Sequence, residues 1–274
     1  MLAHVTDTAR ELMIFKAQTT TIPYAREVAE HFKLAAPEGA LKDFGFWASV
    51  VHFEMRFRSI EHFIEKSSGP NILELSSGYA FRGLQHCLRR PDIVYIDSDL
   101  FPVVAEKSRM LQTWGIPLPP NLHLKRIDAT MAETYPALSS PVSVVNEGLL
   151  MYFDNEGKAR IMNNIRAILQ EHGGSWTTSD IYVRHDTDTV GSDRDKKWGT
   201  FFQKNKVNQN YFASFEAAEQ FFYDNGFIVR DRYEPEFEKL SSVPMLFQYG
   251  DEAQLQALRE RGRIQETWQL VPRH

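Results

Sequence analysis

The chain has 274 residues, 43% hydrophobic and 24% charged, enough for one large α/β domain with an ample core. Its formal net charge is −5, and Lys and Arg are interspersed with Asp and Glu, which argues against a nucleic-acid partner held by phosphate electrostatics. Cys87 is the only cysteine, so an intrachain disulfide and a cysteine zinc cluster are both excluded, which fits a reducing compartment.

The opening residues, Met1 to Arg10, carry Asp7 and lack the apolar core of a leader. No apolar run approaches the roughly twenty residues that a membrane span needs. Together these features predict a cytoplasmic protein. From Thr21 onward, Ile22, Pro23, Tyr24 and Ala25 to Ala29 read as a short helix with Pro near its first turn. A loop with Pro37 and Gly39 follows. Phe46, Trp47, Val50, Val51, Met55, Ile60, Phe63 and Ile64 then recur at three- and four-residue steps, which predicts a long amphipathic helix ending at Ser67-Ser68-Gly69-Pro70. Arg56 and Arg58 lie on it. Either is close enough to the next strand to pair with a ligand carboxylate, or both are solvated. Arg82 has the same two readings.

The organising stretch is Asn71 to Gly83. Ile72, Leu73 and Leu75 suit a buried parallel strand, and Ser76, Ser77 and Gly78 suit a tight turn that lets backbone approach a ligand. Ser76 stands where the first glycine of a dinucleotide fingerprint belongs, and no Walker lysine follows, so pyrophosphate is a poor fit. A second apolar strand, Ile93 to Ile96, ends in Asp97-Ser98-Asp99, about twenty residues on, where a carboxylate accepts from ribose hydroxyls. Strand, small turn and acidic strand end point to an adenosine-containing cofactor.

Pro102 opens a helix that Gly115 closes. Asn121 to Thr130 reads as a third strand with Asp128 at its tip, a candidate for the adenine amino group. Val142 to Asn146 is a fourth strand, running into an apolar loop that holds Glu147, a carboxylate that needs a partner if buried. Asp154 caps the following helix, which ends at Gly173-Gly174. Ser175 to Val183 is a fifth strand. The polar segment from Arg184 to Asn210 is too long for a simple connection and reads as a lid or insertion. Its Asp186, Asp188, Asp193 and Asp195 do not form a calcium loop, because Val190 takes one ligand position and Lys197 another. Ser214 caps a helix ending at Asn225-Gly226, Phe227 to Arg230 is a sixth strand, Glu252 to Arg261 is helical, and Thr267 to Val271 alternates as a last strand. Periodicity alone thus gives an alternating α/β chain.

The run Glu74-Leu75-Ser76-Ser77-Gly78 with Arg82, Asp97-Ser98-Asp99-Leu100-Phe101-Pro102 with Lys107, Asp128-Ala129, Asn146-Glu147-Gly148-Leu149-Leu150-Met151-Tyr152, and Glu266-Thr267-Trp268-Gln269-Leu270 resembles the leucine carboxyl methyltransferase family of class I S-adenosylmethionine-dependent methyltransferases. That family also includes polyketide O-methyltransferases. The resemblance spans roughly residues 55–271. It implies a Rossmann-like seven-stranded sheet, mostly parallel with the last strand antiparallel, helices on both faces and an N-terminal helical cap. Residues 1–274 would form one domain, with the cap over 1–68, the core over 69–274 and a lid near 184–210.

By position, the resemblance implies S-adenosylmethionine as cofactor. It places the turn with Ser76 and Gly78 along the methionyl part, Asp99 at the ribose, Asp128 with Ala129 at adenine, Arg56 or Arg58 at the cofactor carboxylate and Glu147 near its amino group, with Glu74 among the cofactor-binding residues. The acceptor would be a small molecule offering a carboxylate or phenolic oxygen. Tyr24 and Tyr152 line its side or are packed aromatics with satisfied hydroxyls. A turnover-dead scaffold with the same fold is one rival, and a nicotinamide-dependent oxidoreductase lacking the glycine pattern is another.

Overall fold

The computed structural model describes residues 2–35, 38–39, 42–67, 69–184 and 207–273. Strands β1 (Asn71–Leu75), β2 (Val94–Asp99), β3 (Leu122–Arg126), β4 (Val142–Asn146), β5 (Gly174–Tyr182), β6 (Phe227–Arg232) and β7 (Gln265–Pro272) form one sheet in the order β3-β2-β1-β4-β5-β7-β6. β1 pairs in parallel with β2 and β4, β2 with β3, and β4 with β5, whereas β7 runs antiparallel to both β5 and β6. Every residue of β1 and β4 is buried, as expected for strands covered on both faces. The expected sheet and its single reversed strand are both present.

Helices α1 (Leu2–Glu11), α2 (Met13–Lys16), α3 (Ala25–His31), α4 (Phe44–Lys66), α5 (Arg82–Arg89), α6 (Phe101–Thr113), α7 (Asn155–His172), α8 (Phe215–Asp224), α9 (Val243–Tyr249) and α10 (Glu252–Arg261) surround it. Asp43, Asp154 and Ser214 each accept a first-turn backbone N–H, at Phe46, Gly157 and Ala217, and so cap α4, α7 and α8. α7 and α8 bury Ile161, Met162, Ile165 and Phe222 on one face of the sheet, against Trp176 and Trp268. On the other face Phe57, Ile60 and Ile64 of α4 meet Leu84, Tyr95 and Met110.

Two expectations about the N-terminal third need correction. α4 packs against β4, β5 and β7, where Ser59 and Thr267 share a 2.7 Å hydrogen bond, so it is a layer of the core rather than part of a cap over 1–68. The helix near Pro23 begins only at Ala25, because Tyr24 adopts a left-handed φ of 58° that ends any continuous turn from Pro23. α1 and α2 fall within the expected N-terminal helical region, although no helix was placed at those residues. Of the expected lid, Arg184 and 207–210 are described. Arg184 donates to the Gln209 carbonyl at 2.7 Å, and Val183 bridges to Phe212. The acidic run 186–195 and Trp198, Phe201 and Phe202 lie outside the described residues. Among the described residues, no helix is long and apolar enough to cross a membrane.

Candidate functional site

The β1 turn takes a shape that its sequence resists. Ser76 has φ 53° and Gly78 φ 54°, so two of three consecutive turn positions are left-handed. For Ser76 that conformation costs about 1 kcal/mol, and its hydroxyl is in no hydrogen bond among the described residues. Ser76→Gly should therefore raise stability by roughly 0.5 kcal/mol, the relieved strain being partly offset by a more flexible unfolded chain. A shifted denaturant midpoint at unchanged slope would show it; a lower midpoint would mean that the turn is unstrained.

Two carboxylates hold the neighbouring strand tip to this turn. Asp97 is buried, accepts from the Ser77 hydroxyl at 2.6 Å, and pairs with the buried Lys107 ammonium at 2.5 Å. Asp99 accepts from the backbone N–H of Gly78 at 2.8 Å and of Leu100 at 2.7 Å, one bond on each oxygen, which leaves acceptor capacity on both. Burial pushes its carboxyl upward, and the two amides oppose that. Asp128 lies just beyond β3, where Oδ1 accepts from the Thr130 N–H and hydroxyl, and Ala129 beside it is buried.

Glu74 and Arg82 are consumed structurally. Arg82 is wholly buried and reaches Glu74 at 3.1 Å, Glu61 at 3.3 Å, Glu147 at 2.8 Å and the Phe57 carbonyl at 3.2 Å, over the Phe57 ring. Tyr95 donates to the second Glu74 oxygen at 2.8 Å. Glu74 thus anchors Arg82, with one partner on each of its oxygens.

Glu147 is the buried acid of the β4 loop, and its two partners are present. Lys16 of α2 donates to one oxygen at 2.8 Å and Arg82 to the other at 2.8 Å. Burial raises the Glu147 carboxyl, but Lys16, Arg56 and Arg82 overcome it and hold it at about 2. The loop is shaped by Asp180 of β5. Its carboxylate accepts from three successive backbone N–H groups, Gly148 at 2.7 Å, Leu149 at 2.7 Å and Leu150 at 3.0 Å, and from the Asn146 amide at 2.7 Å. Arg56 approaches the same carboxylate at 3.4 Å. A side chain on Gly148, which has φ 81°, would stand 3.3 Å from the Arg56 guanidinium. Among the described residues Arg56 Nε is buried without a hydrogen-bond partner, which leaves a cationic donor beside Glu147 and the Gly148 backbone.

Neither Lys16 nor Asp180 was anticipated. Lys16 lies 131 residues from its partner, and its contact depends wholly on α1 and α2 folding back; Ala9 of α1 comes within 3.6 Å of where a Gly78 side chain would be. Asp180 carried one signal, an acid within an otherwise uncharged strand.

Arg58 does not join this cluster. It faces Tyr233, Glu236 and Glu61, so of the two helix arginines only Arg56 reaches the strand ends. Tyr24 stacks on Trp114 at 6.1 Å and meets Phe81 edge-on, packing in the core formed with β2 and α6, so its acceptor-side placement is corrected to a packed aromatic. Tyr152 follows the Glu147 loop, hydrogen-bonds Thr8 of α1, and packs with Met151, Tyr182 and Tyr211.

No protein-family model and no curated protein matches this sequence. Solved structures do resemble its fold. The mitomycin 7-O-methyltransferase MmcR is 12% identical, with a TM-score of 0.52 over 94% of this chain and 60% of its own. OxaC, solved with SAH and oxaline, is 11% identical, with a TM-score of 0.51 over 90% of this chain and 57% of its own. This chain therefore spans less than two thirds of either. The magnesium protoporphyrin IX methyltransferase ChlM of Synechocystis PCC 6803, solved with SAH, is 11% identical, with a TM-score of 0.51 over 91% of this chain and 95% of its own. At these identities the likeness is one of architecture, and the architecture of this chain is the seven-stranded methyltransferase sheet.

Proposed function

We propose that the chain is an S-adenosylmethionine-dependent O-methyltransferase acting on a carboxylate or phenolic oxygen of a small molecule. We further propose that it belongs with the leucine carboxyl methyltransferase branch, on the strength of the Glu147 to Tyr152 run. One observation carries the reading: Gly78, Asp99, Asp128, Glu147 and Arg56 converge at the carboxyl ends of β1 to β4, where open α/β sheets bind ligands.

The residues fit the cofactor. The partnerless Arg56 Nε suits a carboxylate, the ionised Glu147 an ammonium, and the spare acceptor capacity of Asp99 a pair of hydroxyls. When bound, the cofactor supplies a methyl group already activated by its sulfonium. The protein's own part is to orient the acceptor oxygen in line and keep water out. α1 and α2 serve the second task, since Thr8 and Lys16 are buried over the strand ends.

Calorimetric titration tests this directly. S-adenosylmethionine and S-adenosylhomocysteine should bind near the micromolar range, about −8 kcal/mol. Asp99→Ala should lose about 2 kcal/mol of it, roughly thirtyfold, with the fold intact. Equal affinity in the variant would remove Asp99 from the site, and no binding to either protein would retire the reading.

A further inference from the structure

The sheet has a ligand-sized opening at the pole opposite Asp99 and Glu147. A cavity of about 420 Å³ lies where α4 ends and β4 and β5 begin, bounded on its far side by β7 and the edge strand β6. That volume is within the roughly 300–1,000 Å³ of small-molecule sites. Ser143 and Ser175 line it about 10 and 16 Å along their strands from Asn146 and Asp180, so it is separate from the proposed cofactor residues.

The floor of the cavity is polar where a covered sheet face is normally apolar. Val142, Val144 and Trp176 pack on the α7 side, and Val145 packs with Phe57 and Ile60 of α4, so by alternation Ser143 and Ser175 lie on the α4 face. The Gln269 amide donates to Ser175 at 3.3 Å, and the Ser67 hydroxyl is 2.6 Å from that of Ser143. Each hydroxyl keeps spare capacity for a ligand. The rim is cationic. The ladder pairs Val229 with Leu270 and Asp231 with Gln269, so Arg230 is the extra residue of a β-bulge, a device that re-aims a side chain, and it borders the cavity. Among the described residues, neither Arg230 nor Lys66 is in a hydrogen bond or ion pair. Asp231, the one acid of the lining, accepts from the Arg232 N–H instead. Lys66, in the last turn of α4, offsets the negative end of that helix, which leaves the Arg230 guanidinium as the net attraction for an anion.

We infer that this cavity is a binding site for a small polyol phosphate, with Arg230 and Lys66 on the phosphate and Ser143, Ser175 and Gln269 on hydroxyls of the body. A guanidinium and an ammonium carried by different elements suit a group with three outward oxygens and a charge of about −1.5 to −2. An apolar ligand would strand the polar floor, since only Phe63 and Pro141 offer the cavity a hydrocarbon side chain. The inference does not rest on the methyltransferase reading.

The test titrates the full chain calorimetrically with glucose phosphate, glycerol phosphate, inorganic phosphate and glucose, and repeats this on Arg230→Gln and Lys66→Gln. Both side chains are exposed, so each variant should keep the wild-type denaturant midpoint and S-adenosylhomocysteine affinity. One equivalent of either ester should bind, at least about tenfold more weakly in Arg230→Gln, less so in Lys66→Gln, and more weakly as salt rises. Inorganic phosphate should bind at least about tenfold more weakly than the esters, and glucose not at all. No binding of either ester would overturn the proposal, as would ester binding that survives Arg230→Gln unchanged, or inorganic phosphate that binds as tightly as the esters. Ester binding by a wild type that takes up no S-adenosylhomocysteine would strike the methyltransferase reading and leave this site standing.

Discussion

Replacing Arg82 with Met should destabilise the protein by about 5 kcal/mol, the upper end of what breaking one buried ion pair costs. Met nearly matches the length of the stem but supplies no donor, and Arg82 serves three carboxylates and a carbonyl at once. The three acids are not equally exposed to its loss. Glu61 keeps His86 at 3.2 Å, Glu147 keeps Lys16 at 2.8 Å, and Glu74 keeps only the Tyr95 hydroxyl. Burial already pushes the Glu74 carboxyl upward, with Arg82 opposing, so this acid should be the first to take a proton in the variant. Arg82→Lys should rescue little, because an ammonium cannot span Glu74, Glu61 and Glu147 as the guanidinium fork does. Denaturant unfolding decides it: a loss under about 1 kcal/mol would mean that the three acids have other means of neutralisation.

The same comparison has a pH signature. Glu147 is held at about 2 against an ordinary 4.5, so its contribution of about 3 kcal/mol is fully present above the unfolded value and is lost as pH falls through 2. Glu61 is also depressed and acts in the same sense; Glu74 is raised and acts in the opposite one. Without Arg82 the depressed acids move back toward their ordinary values. The deficit of Arg82→Met relative to wild type should therefore be greatest above about pH 5 and shrink as pH falls toward 2. A deficit that stays constant with pH would assign the loss to packing over Phe57 rather than to charge.

Much of the frame was legible because its signals are local. A buried parallel strand is a continuous apolar run, and a capped helix announces itself at Asp154 and Ser214, so β1, β2, β4, α7 and α8 were placed from short windows of sequence. Strand tips fall at fixed places in such a sheet, which is why Asp99, Asp128 and Glu147 could be named without knowing their partners. What escaped was everything set by distant contacts. Arg56 and Arg58 are two residues apart on one helix, and only the rotation of α4 against β5 sends one to Asp180 and the other to Tyr233. Tyr24 looked like a site residue by position, but a left-handed backbone turns it toward Trp114. The 2.7 Å hydrogen bond between His52 and Tyr182 joins residues 130 apart that no motif links.

Asp180→Asn is the second large effect, and it should be felt in both stability and cofactor affinity. The carboxylate has two acceptor oxygens and no donor, and every one of its neighbours is a donor: the N–H groups of Gly148, Leu149 and Leu150, the Asn146 amide and the Arg56 guanidinium. Asn146 cannot turn round to help, because its own oxygen accepts from the Trp176 indole at 2.7 Å. An amide at position 180 must therefore aim its NH₂ either at Gly148 and Arg56 or at Leu149, Leu150 and Asn146, leaving at least two buried donors facing another donor. The expected cost is about 3 kcal/mol in unfolding free energy. Because the same carboxylate fixes the Gly148 turn next to Glu147 and orients Arg56, cofactor affinity should fall at least about tenfold as well. Asn keeps the volume of Asp, so no cavity confuses the result. Stability lost with affinity unchanged would show that the Glu147 loop holds its shape without Asp180, and affinity lost with stability unchanged would show that the buried donors find water instead.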